Sequence, residues 1–206
     1  LLSVGKSTMI EQVLNLFDDQ DKFHLIVTNK QARENPNLKN YLLNLKKNIS
    51  IYEIEEHDKG PVYSVMQAKN IVCKKDIIVS YCDFLISWNY KKFLRISQGY
   101  DSSIVSFRKF HPSSFSGTLY CYLKTNNDLV TAIREKKSFT KNPSEEYASA
   151  GIYYFKSLDL LKNYSKKVLK SKRLSKIYKT KEYFLPNGNS LKHKQVLKNY
   201  AYASTM

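Results

Sequence analysis

The chain has 206 residues, 42% of them hydrophobic, and a formal charge of +16. That length and apolar content suit one globular domain with its own core, and they argue against a disordered chain. No apolar run approaches the roughly 20 residues of a membrane-spanning helix, no signal peptide is visible, and the isolated Cys73, Cys82 and Cys121 form no CxxC pair. A membrane protein, a disulfide framework and a zinc site are therefore not indicated, and a cytoplasmic setting is expected.

The first segment raises a question of its own. Gly5-Lys6-Ser7-Thr8 matches the end of a phosphate-binding G-x-x-x-x-G-K-[ST] loop, but the first glycine of that pattern would precede Leu1. TMIEQVLNLF follows with apolar residues at helical spacing, and FHLIVTN is a short continuous apolar run that suits a buried strand. NPNLKNYLLNLKK reads as a helix and ISIYEIE as a strand. Gly60-Pro61 opens a helix through VYSVMQAKNIV, with proline at a first-turn position where its missing N–H costs nothing. DIIVSYCD is a further buried strand and WNYKKFLRIS a further helix. Such alternation predicts parallel strands with helices packed over them.

The second half changes character. SSIVSFRKF, GTLYCYLK, DLVTAIREK and YASAGIYYFK are rich in β-branched and aromatic residues and are divided by Ser-Gly and Asn-Asn-Asp turns. LYCYLKTNNDLVTAI reads as a hairpin, and LDLLKNYSKKVLK as a final helix. The expectation is one α/β domain over residues 1–206, with a mainly parallel sheet and antiparallel additions in its second half. Its end, residues 161–206, is Lys-rich, helical or irregular, with 12 Lys and Arg against the single acid Glu182. Since most of the charge excess lies there and only five of the 34 basic residues are Arg, it reads as a solvated surface rather than a nucleic-acid interface.

In open parallel sheets ligands gather beyond the carboxyl ends of strands, so the residues that end strands carry the chemistry. Asp83 ends DIIVSYCD; a carboxylate there wants a metal, a hydrogen-bond cage or water, or it caps the next element. Its neighbour Cys82 reads as a small buried hydrophobe rather than a nucleophile. Glu135-Lys136 end DLVTAIREK, either as a solvated pair or as a carboxylate for sugar hydroxyls beside an ammonium for a phosphate. Ala150-Gly151 relieve a crowded strand or mark the close approach of a ligand, and Gly60 presents bare backbone at a helix start. His24, His57, His111 and His193 lack ligand spacing and read as structural, and no GxSxG motif occurs.

In order, SVGKSTMIEQVLN, GPVYSVMQAKN, DIIVSYCDF, VTAIREKKSFT and EEYASAGIYYF closely resemble the nucleotidyltransferases that activate sugar 1-phosphates, of the glucose-1-phosphate thymidylyltransferase type, from Leu1 to about Phe184. The resemblance implies a GT-A-type, Rossmann-like three-layer domain. It also implies a reaction in which a nucleoside triphosphate and a sugar 1-phosphate give a nucleotide sugar and pyrophosphate, as in surface polysaccharide biosynthesis. Asp83 would be catalytic and hold Mg²⁺; Gly60, with Pro61 and Cys82, would lie at the nucleotide. Glu135 and Lys136 would bind the sugar and its phosphate, and Ala150 and Gly151 would line the sugar pocket. An oligomer is compatible with this reading, and no membrane partner is implied.

Two departures accompany the resemblance. The family's glycine-rich, arginine-bearing loop would stand before Leu1, and its second metal-binding aspartate has no counterpart, since no Asp follows Asp159. The expectation is a chain clipped at both ends and inactive alone. Three alternatives stay open: a P-loop NTPase or kinase with Asp83 as the metal acid, a GT-A glycosyltransferase, and a non-catalytic nucleotide-sugar binding module. The glycosyltransferase is weakened by Tyr81-Cys82-Asp83, which offers one acid where D-x-D has two.

Overall fold

The computed structural model describes residues 1–109 and 117–170, and the backbone of residues 193–195. The Lys-rich end beyond residue 170 otherwise lies outside the described residues, as does His111.

The chain opens with a small antiparallel hairpin of β1 (Ser3–Val4) and β2 (Ser7–Thr8), with Val4 opposite Ser7. Gly5 and Lys6 are its two-residue turn, and Gly5 adopts φ 63°, which glycine reaches without strain. Thr8 then caps α1 (Met9–Leu14): its hydroxyl accepts from the Glu11 N–H at 3.3 Å, while the Glu11 carboxylate accepts from the Thr8 N–H at 3.4 Å. A P-loop would aim Ser7 at a metal from the start of a helix, but here Ser7 is laddered in a hairpin. The P-loop alternative fails on this geometry.

β3 (Phe23–Thr28) and β4 (Ile49–Ile54) pair in parallel, Phe23 opposite Ile49 through to Thr28 opposite Ile54. The crossover between them carries α2 (Asn29–Glu34), capped by Thr28, and α3 (Leu38–Leu43). Gly60, at φ 79°, precedes α4 (Pro61–Gln67), with Pro61 in the first turn as expected. The helix stops at Gln67, short of the Val72 implied by periodicity, because Ala68 and Ile71 reach the core from the coil that follows. β5 (Ile77–Ser80) and α5 (Tyr90–Ser97) come next, the latter capped by Asn89.

The second half supplies β6 (Ser102–Phe107), β7 (Cys121–Asn126), β8 (Leu129–Glu135), β9 (Tyr147–Phe155), α6 (Leu158–Lys170) and β10 (His193–Gln195). These strands and β5 form one sheet in the order β5-β9-β6-β10-β8-β7. β9 is its organiser, antiparallel to β5, to β6 and to the start of β7. The α/β class and the mixed sheet agree with expectation. Parallel pairing among the described residues is confined to β3–β4 and β6–β10, a smaller share than the alternation implied. Apolar periodicity reports burial of a strand and carries no information about the direction of its neighbour.

β9 explains the layering. Ala148, Ala150, Ile152 and Tyr154 point to one face with Phe93, Val105 and Phe107, under α5. Tyr153 and Phe155 point to the other with Ile104, Leu123, Val62 and Leu161, under α4 and α6. The buried positions of α6, Leu158, Leu161, Ser165 and Val168, recur at helical spacing and form the stripe that covers this second face.

Candidate functional site

A pocket of about 260 Å³ opens where the segment after β5, the end of β8, the start of β7 and the middle of β9 converge. Five residues singled out by sequence share it: Asp83, Glu135, Lys136, Ala150 and Gly151. They come from three separate stretches of chain, and only the pairing of β9 with β5 and β7 brings those stretches together.

Asp83 stands three residues beyond the last laddered residue of β5, Ser80, and is exposed at the pocket wall. Tyr81, between them, donates its N–H to the Gly151 carbonyl at 3.0 Å, which ties this segment to β9. Cys82 is exposed, contrary to the buried hydrophobe expected, because it lies past the strand in a bend.

Glu135 is only 5% exposed, and β7 places Cys121 directly opposite it. The Cys121 thiol donates to its carboxylate; burial and that carboxylate together push the thiol well above its ordinary value. This juxtaposition depends on one irregularity. The β7–β8 turn is Asn127-Asp128, both at positive φ, with Asn126 opposite Leu129. Counting back in regular register would put Arg134 opposite Cys121. A bulge at Thr131, whose hydroxyl donates to the Lys124 carbonyl at 3.1 Å, shifts the ladder by one and delivers Glu135 instead.

Lys136 follows in the left-handed region at φ 52°. Its N–H donates to the Tyr120 carbonyl at 2.9 Å, and its own carbonyl accepts from the Thr118 hydroxyl at 2.8 Å. An L-residue held there on both sides is strained, and such strain collects at functional positions. Beyond it the loop is clamped. The Glu146 carboxylate accepts from the N–H groups of Phe139 and Thr140 at 2.9 and 2.6 Å, and Arg134 donates to the Ser138 carbonyl while stacking on Phe139.

Gly151 sits in β9 at φ 74°, inside a bulge: Ile104 pairs with Tyr153, yet Ser106 pairs with Ser149. A Cβ on Gly151 would meet Cδ2 of Tyr81 at 3.0 Å. The bare side of this glycine is therefore filled by the Tyr81 ring. Beside it the Gly151 N–H donates to the Ser149 hydroxyl at 3.1 Å, which donates to the Tyr153 hydroxyl at 2.9 Å. The Tyr153 and Tyr81 rings meet edge to face, 6.0 Å between centroids. Burial drives both phenols above their ordinary value, and Glu135 adds to the effect on each.

Gly60, Pro61 and Cys82 do not line this pocket. Two of the histidines have the structural contacts expected: His24 Nδ1 lies 3.0 Å from the Tyr52 hydroxyl, and His57 Nε2 lies 3.1 Å from that of Ser64. Tyr81, Cys121, Ser149 and Tyr153 line the pocket and escaped the sequence reading. Alternation along YASAGIYYF could have grouped Ser149 and Tyr153 on one face; nothing local marks Cys121.

A mixed sheet covered on both faces, with a pocket lined by acids, a lysine and a kinked glycine, makes this an α/β domain with one candidate ligand site described. The nucleotidyl transferase family model matches residues 1–198, and the chain belongs to that family. A nucleoside-diphosphate-sugar pyrophosphorylase from Vibrio cholerae RC9 superposes with a TM-score of 0.73 at 17% identity, covering 94% of this chain and 81% of its own. HddC from Yersinia pseudotuberculosis, complexed with GMP-PN, gives 0.58 at 16% identity over 94% and 77%. A second HddC structure gives 0.59 at 17% identity over 95% and 78%. At these identities the likeness is one of fold. No curated protein matches the chain. Among the described residues no helix is long and apolar enough to cross a membrane.

Proposed function

We propose that this domain serves the transfer of a nucleotidyl group from a nucleoside triphosphate to a sugar 1-phosphate, giving a nucleotide sugar and pyrophosphate, with the chain alone binding these substrates without turnover. One observation carries this reading: a carboxylate, an ammonium and a glycine kink, nominated separately by sequence, meet in a single pocket with a second carboxylate at its wall. Glu135, buried at the pocket wall, accepts from sugar hydroxyls. Lys136 meets the phosphate of the same sugar. A sugar phosphate oxygen is ionised near neutral pH, so it attacks the α-phosphorus without a general base. The new P–O bond forms as the α–β bond breaks, and pyrophosphate leaves with the electron pair. The protein's work is to hold the two phosphates in line.

Among the described residues no three His, Cys, Asp or Glu side chains cluster as a metal-binding group. A single exposed carboxylate fits Mg²⁺, which takes one or two protein carboxylates and fills its shell with substrate phosphates and water. Asp83 would hold it, and the ion would neutralise charge on the departing pyrophosphate.

Calorimetry on the chain with a hexose 1-phosphate and with a nucleoside triphosphate plus Mg²⁺ tests the assignment. Glu135→Gln and Lys136→Ala should each weaken the sugar phosphate by about tenfold or more, the worth of one charge-assisted contact. Asp83→Asn should leave that affinity alone and remove the Mg²⁺ dependence of triphosphate binding. Sugar phosphate affinity that ignores both pocket variants would refute the reading, and acceptor-dependent turnover of a nucleotide sugar would favour the glycosyltransferase alternative.

A further inference from the structure

Glu135 and Lys136 stand where β8 passes into the loop that leads to β9, and that loop has a fastening of its own. Glu146, the residue before β9, turns its carboxylate back across it. Oε2 accepts from the Phe139 N–H at 2.9 Å, while Oε1 accepts from the Thr140 N–H at 2.6 Å and the Thr140 hydroxyl at 2.7 Å. One side chain thus holds three donors with both of its oxygens. Arg134 holds the same segment from β8: Nη1 donates to the Ser138 carbonyl at 3.1 Å, and the guanidinium lies 4.3 Å from the centre of the Phe139 ring. On its other side Lys136 is tied to the approach to β7, through the Tyr120 carbonyl at 2.9 Å and the Thr118 hydroxyl at 2.8 Å. Lys136 itself is exposed, at φ 52°. A residue with a side chain stays in that region only while its surroundings over-determine it, and on the loop side Arg134 and Glu146 do so.

We infer that Glu146 is a positioning residue: by fixing the loop at Phe139 and Thr140 it keeps Lys136 in its left-handed turn and sets where the ammonium meets a bound phosphate. This rests on the sugar 1-phosphate reading and adds to it a residue outside the pocket wall, since Glu146 does not line the cavity. Its hold is firm because the sheet carries it. The next two residues, Tyr147 and Ala148, pair with Leu123 and Tyr122 of β7. A carboxylate mounted on a laddered strand lends that strand's precision to a loop.

The test is a double-mutant cycle on the whole chain with Glu146→Ala, Lys136→Ala and the two combined, read by calorimetry with glucose, galactose and mannose 1-phosphates. Glu146→Ala should weaken the hexose 1-phosphate that binds by about fivefold or more, within the range of coupling between residues of one network. It should add nothing once Lys136→Ala is present, because no ammonium is left to position. Glu146→Gln keeps one carbonyl oxygen as acceptor, so it should recover part of the loss, and it takes the place of alanine in the cycle if that variant fails to fold. Amide exchange at Phe139 and Thr140 should quicken in step with the lost affinity. An unchanged affinity in Glu146→Ala, or an equal loss with and without Lys136, overturns the inference while the sugar phosphate reading stands on Lys136→Ala. Failure of all three hexose 1-phosphates to bind at millimolar concentration overturns both.

Discussion

Gly151→Ala puts the pocket's construction under direct test. The residue sits at φ 74°, where an L side chain costs about 1–2 kcal/mol. The new methyl would also lie 3.0, 3.3 and 3.4 Å from three atoms of Tyr81. Rotating the ring does not clear the contact fully, because Cβ of Tyr81 is one of those three atoms and its backbone is held by the N–H bond to the Gly151 carbonyl at 3.0 Å. Overpacking against an anchored group costs about 1–3 kcal/mol, so the sum is about 2–5 kcal/mol. For a chain of this size, each kcal/mol shifts Tm by about 2–4 °C. The assay is urea and thermal unfolding, with Gly5→Ala as an internal standard: Gly5 has φ 63° and no atom within 4 Å of a built Cβ, so it carries the backbone cost without the clash. Gly151→Ala should exceed Gly5→Ala by about 1–3 kcal/mol, and Tyr81→Ala in the same chain should recover part of the excess through non-additivity. Equal losses at the two glycines would refute the packing of Tyr81 on Gly151.

Two further expectations concern charge and strain. Lys136→Gly should hold or raise Tm, because glycine relieves the strain at φ 52°, worth up to about 1 kcal/mol, while sugar phosphate affinity falls about tenfold or more; a parallel loss of stability would place Lys136 in the framework instead. The buried Cys121 thiol has a folded pKa well above its ordinary 9.0, and Tyr153 one well above 10.0. In each case the unfolded chain loses its proton first, so the stabilisation is complete below pH 9 and is lost as pH rises above it. Denaturant midpoints between pH 8 and 10.5 should fall, and Cys121→Ala should flatten the part of that fall nearest pH 9. A slope untouched by that substitution would place the alkaline sensitivity elsewhere.

Much of the fold was legible in the chain. FHLIVTN, ISIYEIE and LDLLKNYSKKVLK became β3, β4 and α6 because strand and helix periods are local properties of side-chain order. Gly60-Pro61 opened α4 for the equally local reason that proline lacks an N–H. Asp83, Glu135, Lys136, Ala150 and Gly151 could be nominated as chemically unusual residues at or inside strands. What the order of residues could not contain was their meeting. β5 runs beside β9, more than 65 residues later, and that pairing alone lays Tyr81 on Gly151. The Thr131 bulge is subtler still. Without that one extra residue Arg134 would face Cys121, and a strand's side chains alternate faces, so a single step of register exchanges a buried carboxylate for a guanidinium at the pocket wall. Composition and periodicity settle which segments are strands; register and direction belong to pairs of segments, and only the folded sheet decides them.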